Sequence, residues 1–197
     1  MIRTAVVAVA ALSAAQASAG IVTITSTFTV QFAAPNFPVV MAGDSITFAA
    51  SYERAGFGNA SSAPLTSLVS TVPFPGDIVT QFGGTGSVSF ADGVGSVQDE
   101  IGIDLGLVTT QSAFFIDVDF FGLPGLLDDS FVPTAAELDA SLIVGGSASV
   151  NVPNPADPQG GTVPIVVAQL ESVVITPTPA SAALLGFGGL AMARRRR

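Results

Sequence analysis

The stretch Ile21-Val22-Thr23-Ile24-Thr25-Ser26-Thr27-Phe28-Thr29-Val30-Gln31-Phe32 decides the fold class. Val22, Ile24, Phe28, Val30 and Phe32 fall on one side of a two-residue repeat, and Thr23, Thr25, Thr27, Thr29 and Gln31 fall on the other. Successive side chains of an extended chain point to opposite faces, so the pattern predicts a strand with one buried face. Pro35 and Pro38 end it, because proline removes a ladder donor.

Downstream, Gly43-Asp44 signals a turn, and Ser45 to Glu53 repeats the alternation with Ile46, Phe48, Ala50 and Tyr52 inward. Arg54 to Pro64 is rich in Gly, Ala, Ser and Asn and reads as a surface loop. Short strands are expected over Leu65 to Val72, Ile78 to Phe82 and Gly86 to Phe90, separated by Pro73, Pro75-Gly76 and Gly83-Gly84. Ile101, Ile103 and Leu105 give another, with Asp104 on its wet side. Phe114, Ile116, Val118 and Phe120 alternate with Phe115, Asp117 and Asp119, and Gly122-Leu123-Pro124-Gly125 then turns the chain. Thr134 with Glu137 forms a capping-box pattern, which predicts a short helix over Pro133 to Ala140. Leu142 to Val144 and Ser147 to Val152 read as a hairpin across Gly145-Gly146, and Val163 to Ile175 as the final strand. Many short strands with regular turn signals and little helix predict one all-β domain over residues 20–176, an antiparallel sandwich or jelly roll.

The two ends of the chain differ from this body. Arg3 precedes an apolar run from Ala5 to Ala15, and Ala17-Ser18-Ala19 before Gly20 has the small-x-small form of a signal-peptidase site. Residues 1–19 are therefore expected to be a signal-peptide helix, cut between Ala19 and Gly20. At the other end Ala180 to Ala193 carries no charge, and Leu184, Leu185, Phe187, Leu190 and Met192 give it bulk. As a helix it spans roughly 20 Å, short of a bilayer core of about 30 Å. Arg194, Arg195, Arg196 and Arg197 follow as a membrane stop that stays in the cytoplasm. Pro177 and Pro179 before it predict an extended, protease-accessible hinge.

This order of proline hinge, short apolar helix and terminal arginine cluster over residues 177–197 resembles the PEP-CTERM sorting signal of exported bacterial proteins. Pro177, Thr178, Pro179 and Ala180 occupy the motif, with Thr178 where the family has glutamate. The resemblance implies handling by the secretion machinery, signal peptidase and an exosortase-like protease. It also implies a transient stay in the inner membrane, then delivery to the cell surface or an extracellular matrix containing exopolysaccharide.

Composition narrows the chemistry. Of 197 residues 15 are acidic and six are arginine, with no lysine, cysteine, histidine or tryptophan. Loss of Arg3 and Arg194 to Arg197 would leave Arg54 alone against the 15 acids, a net charge of −14. Such a polyanion repels nucleic acid, whose binding depends on cations displacing phosphate counterions. Without cysteine there are no disulfides or thiolate sites. Without histidine both the commonest general base and the commonest zinc ligand are missing, which argues against an enzyme.

The remaining candidate is Asp117-Val118-Asp119-Phe120-Phe121-Gly122 with Asp128, whose spacing echoes a calcium loop with oxygen ligands at positions 1, 3 and 12 and Gly at 6. Phe121 at position 5 and the strand-like flanks favour a solvated strand face instead. The crowding of Asp99, Glu100, Asp128 and Asp129 keeps calcium elsewhere in the domain open. No other cofactor is indicated. The expected function is a non-enzymatic exported surface or matrix protein; the alternative is a calcium-dependent or carbohydrate-binding β module.

Overall fold

The computed structural model describes residues 20–37, 39–54, 57, 60–72, 75–93, 98–108, 112–127, 131–157 and 161–178. The strands are β1 (Ile21–Ala33), β2 (Ser45–Glu53), β3 (Ser62–Ser70), β4 (Gly76–Asp77), β5 (Thr85–Ala91), β6 (Asp99–Val108), β7 (Ala113–Gly122), β8 (Ile143–Pro153) and β9 (Thr162–Thr178). One helical turn, α1 (Ile78–Phe82), and a 3-10 turn, Ala140–Leu142, complete the described regular structure.

The expectation of a sandwich is corrected to an eight-stranded antiparallel barrel. Neighbours pair in the order β1-β2-β3-β5-β6-β7-β8-β9, and β9 returns to β1, with Ile21 opposite Thr178. A sandwich and a barrel share the same inside-outside alternation; only the β1–β9 ladder, which joins the two ends of the domain, distinguishes them. Closure leaves the long strands without a free edge, apart from a seam between β3 and β5.

Side chains fill the interior, as the radius of an eight-stranded barrel requires. Phe28 meets Phe48 edge-on at 5.9 Å between centroids and lies 6.2 Å from Phe120, and Tyr52 packs edge-on against Phe90 at 5.4 Å. Each such pair adds about 0.5–1.5 kcal/mol beyond the area it buries. Ile46, Phe48, Ala50 and Tyr52 are all buried as their alternation predicted.

Five local expectations need correcting. Ser62–Pro64, read as the end of a surface loop, opens β3 against β5, with Ala63 buried. Phe32 is 47% exposed, because the β1–β9 register skips Gln31 between Val30 and Phe32, and this one-residue bulge reverses the facing of the residues after it. Ile78–Phe82 is helical and not a strand: Asp77 accepts from the N–H groups of Val79 and Thr80, and Gly83, at φ +73°, ends the turn in the left-handed region. These end signals override the β preference of Ile78 and Val79. The hairpin across Gly145-Gly146 is a single strand, β8, with Gly145 and Gly146 paired to Phe121 and Phe120. A Cβ on Gly146 would press on the Asp119 carbonyl and the Phe120 and Leu170 side chains, so glycine is there for close approach. Over Pro133 to Ala140 the capping contact forms, with the Thr134 N–H donating to Glu137 Oε2 at 2.7 Å, yet only a turn follows before the 3-10 turn.

The β7–β8 connection closes the end of the barrel from which β1 starts and β9 leaves. Leu126, Leu127, Val132 and Leu138 are buried there. Tyr52 Oη donates to the Pro133 carbonyl at 3.0 Å, Arg54 Nε donates to the Val132 carbonyl at 3.1 Å, and the Arg54 guanidinium lies 3.8 Å from Glu137. No helix among the described residues is long and apolar enough to cross a membrane.

Candidate functional site

Cross-strand register gathers the outward carboxylates on one wall. Asp117 on β7 lies opposite Asp104 on β6 and Ser149 on β8, and Asp119 lies opposite Gly102 and Ser147. Asn151, two residues beyond Ser149 and so on the same face, donates to Asp117 Oδ2 at 2.6 Å and to Ser149 Oγ at 2.7 Å. Ser149 Oγ also donates to Asp117 Oδ2, at 3.3 Å.

These carboxylates are crowded and half-buried. Burial, then the charge of Asp104, pushes the Asp117 carboxyl above its ordinary value, against the hydrogen bond from Ser149. Burial, then Glu100, Asp104 and Asp117 in turn, pushes Asp119 up as well. The wall therefore holds negative charge against a penalty in desolvation and repulsion. It offers oxygen ligands but, among the described residues, no cation to balance them, since Arg54 lies at the closed end of the barrel.

The opposite wall has a different chemistry. Thr23, Thr25, Thr27 and Thr29 point outward along β1, with Ser51, Ala49, Thr47 and Ser45 beside them on β2 and Thr176, Val174, Ser172 and Gln169 on β9. Thr23 and Ser51 share a hydrogen bond of 2.9 Å. Hydroxyls thus sit at strand spacing, about 4.8 Å across and about 6.7 Å along the chain, with little charge among them. Glu53 stands at one end, and Glu171 accepts from Thr29 Oγ1 at 3.3 Å.

Of the three candidate metal residues, two can be placed. Asp117 and Asp119 share the outer face of β7, while Asp128 lies outside the described residues. Among the described residues no three His, Cys, Asp or Glu side chains converge in a way that would hold a metal ion. Asp99, 1% exposed, is occupied by the backbone: Oδ1 accepts from Gly93 N–H at 3.0 Å, and Oδ2 from Gly125 and Leu127 N–H at 3.1 and 2.9 Å. Burial raises its carboxyl, but these N–H groups outweigh burial and hold it below its ordinary value. It pins two loops across the closed end.

The sequence placed Asp104 on a wet face and Asp117 and Asp119 on an outward one, but not side by side. Asn151 and Ser149 were missed, since only the β7–β8 register brings them to Asp117. Of the processing residues, Gly20 precedes β1, and Pro177 and Thr178 are the last two residues of β9, opposite Val22 and Ile21. Ala17, Ala19, Pro179, Ala180 and Arg194 to Arg197 lie outside the described residues. At the other end of the barrel a pocket of about 350 Å³ opens beside Ala34, Pro35, Phe37, Val40 and Met41, with no titratable side chain in its lining. Comparison with known proteins finds no matching family model, no similar curated protein and no similar solved structure, so function is read from the residues themselves.

Proposed function

We propose that this chain is a non-enzymatic exported protein of the cell surface or extracellular matrix, sorted through its C-terminal tail by an exosortase-like protease. One observation carries the reading: Pro177 and Pro179, a charge-free apolar stretch too short for a lasting span, and four terminal arginines in that order. The fold is compatible in a specific way. Because Ile21 pairs with Thr178, residues before β1 and after β9 join the barrel at the same end. A membrane-held tail would hold the barrel by its closed end and leave both walls and the β1–β2 connection facing outward.

The test is fractionation of the host expressing the full chain or a chain ending at Thr178, which keeps β9 whole. The expected result is surface or matrix retention of the full chain and its loss, with release of soluble protein, for the shortened one. Equal distribution of the two would overturn the proposal.

The hydroxyl wall supports a second reading, binding of a neutral polysaccharide, because an uncharged hydrogen-bonding surface on a polyanion suits a ligand that brings no negative charge. Co-sedimentation with neutral glucans should then fall when Thr23 and Thr27 become valine and stay unchanged for Asp119→Asn. The calcium-dependent form of that reading requires the melting temperature to rise with millimolar calcium, since a ligand of the folded state stabilises it by mass action.

A further inference from the structure

The barrel wall has one seam that backbone pairing does not close. β3 pairs with β5 only over Ser62–Pro64, and its upper end pairs instead with β4, Val69 opposite Asp77 and Ser70 opposite Gly76. Leu65 to Leu68 therefore face the seam with no strand partner on that side, though Leu65, Ser67 and Leu68 remain paired to β2. The segment Gly76–Gly83, comprising β4 and α1, is wedged into the gap, and Ile78 fills it with 0% exposure.

One carboxylate fastens this segment. Asp77 Oδ2 accepts from Ser67 Oγ at 2.7 Å, and Oδ1 accepts from Leu68 N–H at 3.1 Å, so the side chain stands in for the missing strand partner of β3. The same Oδ1 accepts from Val79 and Thr80 N–H at 3.1 and 3.3 Å, and so also starts α1. Both boundaries are glycines with positive φ, Gly76 at +130° and Gly83 at +73°, where the chain changes direction without a Cβ penalty.

We infer that Gly76–Gly83 is a hinged strap over the β3–β5 seam, latched by the Asp77 carboxylate and released when that carboxylate loses its charge. Released, it bares the Leu65–Leu68 edge and the site filled by Ile78 while the other ladders stay intact. Among the described residues no second charged group competes for the latch: β3, α1 and β5 carry no Asp, Glu, Lys or Arg. β2 behind β3 has only Glu53 at its far end, and on β6 Asp104 faces outward opposite Ser87. Burial raises the Asp77 carboxyl, but the hydrogen bonds from Ser67, Thr80 and Leu68 outweigh it and hold it below its ordinary value, which places release on the acid side.

Amide hydrogen exchange on the full-length chain tests this. At neutral pH, Asp77→Asn should lower the protection factors of Leu68, Val79 and Thr80 at least about tenfold and leave those of Ile103 and Val118 unchanged, the mark of sub-global opening. In the unmodified chain the same three amides should lose protection ahead of Ile103 and Val118 as the pH falls below about 3.8. The inference is overturned if the three amides track Ile103 and Val118 in the unmodified chain at both pH values. It is equally overturned if Asp77→Asn folds and leaves their protection unaltered. Should Asp77→Asn not fold, the pH series on the unmodified chain decides alone.

Discussion

Asp99 at the closed end and Asp119 on the β7 wall are the same side chain put to opposite use. Asp99 is fully enclosed, and three backbone N–H groups hold it as an anion, so its charge supports the fold. Asp119 is half-buried beside Glu100, Asp104 and Asp117, and its charge opposes the fold. Enclosure therefore does not mark the candidate functional carboxylates here; a retained penalty does. The acid that the structure needs is already saturated with donors, and the acids with oxygen to offer are those the fold would be more stable without.

The largest effect expected from this contrast is at the closed end. Asp99→Ala leaves the N–H groups of Gly93, Gly125 and Leu127 without their acceptor and should lose about 3 kcal/mol or more in urea unfolding. Asp99→Asn keeps an acceptor oxygen and should lose less. Equal losses would mean that charge, not acceptance, holds the loops.

The wall carrying Asp119 depends on β8 running straight past it. Gly146→Val, which forces a side chain against the Asp119 carbonyl and Phe120, should destabilise by about 2 kcal/mol through overpacking and backbone shift. A neutral outcome would favour the turn that the Gly145-Gly146 pair suggested from sequence.

The smallest mutational effect has the opposite sign. Asp119→Asn removes repulsion without removing a partner that the fold needs, and should raise stability at pH 7 by about 0.5 kcal/mol, the scale of a partly exposed charge interaction. The pH windows differ accordingly. Asp99 and Asp77 have lowered values, so their contribution is present above the ordinary carboxylate pKa and is lost as pH falls through the lowered one. Asp117 and Asp119 have raised values, so they favour the fold when protonated and turn against it as pH rises from the ordinary value through the raised one. The Asp119→Asn gain should therefore vanish below about pH 3.8, read as merging melting temperatures.

Much of the barrel was legible residue by residue. The alternation in Ile21 to Val30 and Ser45 to Glu53 showed which side chains fill the interior, because period two is a local property, and it failed at Phe32, past the Gln31 bulge. Closure was not legible, since it rests on Ile21 meeting Thr178 across the whole domain. Ile78 and Val79 misled because β-branched residues in a five-residue segment say less than the Asp77 and Gly83 that bracket them. Gly145-Gly146 misled because glycine serves close approach as readily as turning. For the candidate site, the outward facing of Asp104, Asp117 and Asp119 followed from parity, whereas their convergence with Ser149 and Asn151 needed a register that no local pattern encodes.

The proposed role depends on the chain reaching the outside as a trimmed barrel. Intact-mass measurement of the protein recovered from the surface or matrix fraction of its host reads both ends at once. The expected chain begins at Gly20 and lacks Arg194 to Arg197. A chain recovered from the cytosol with Met1 and Arg197 both in place would contradict that role.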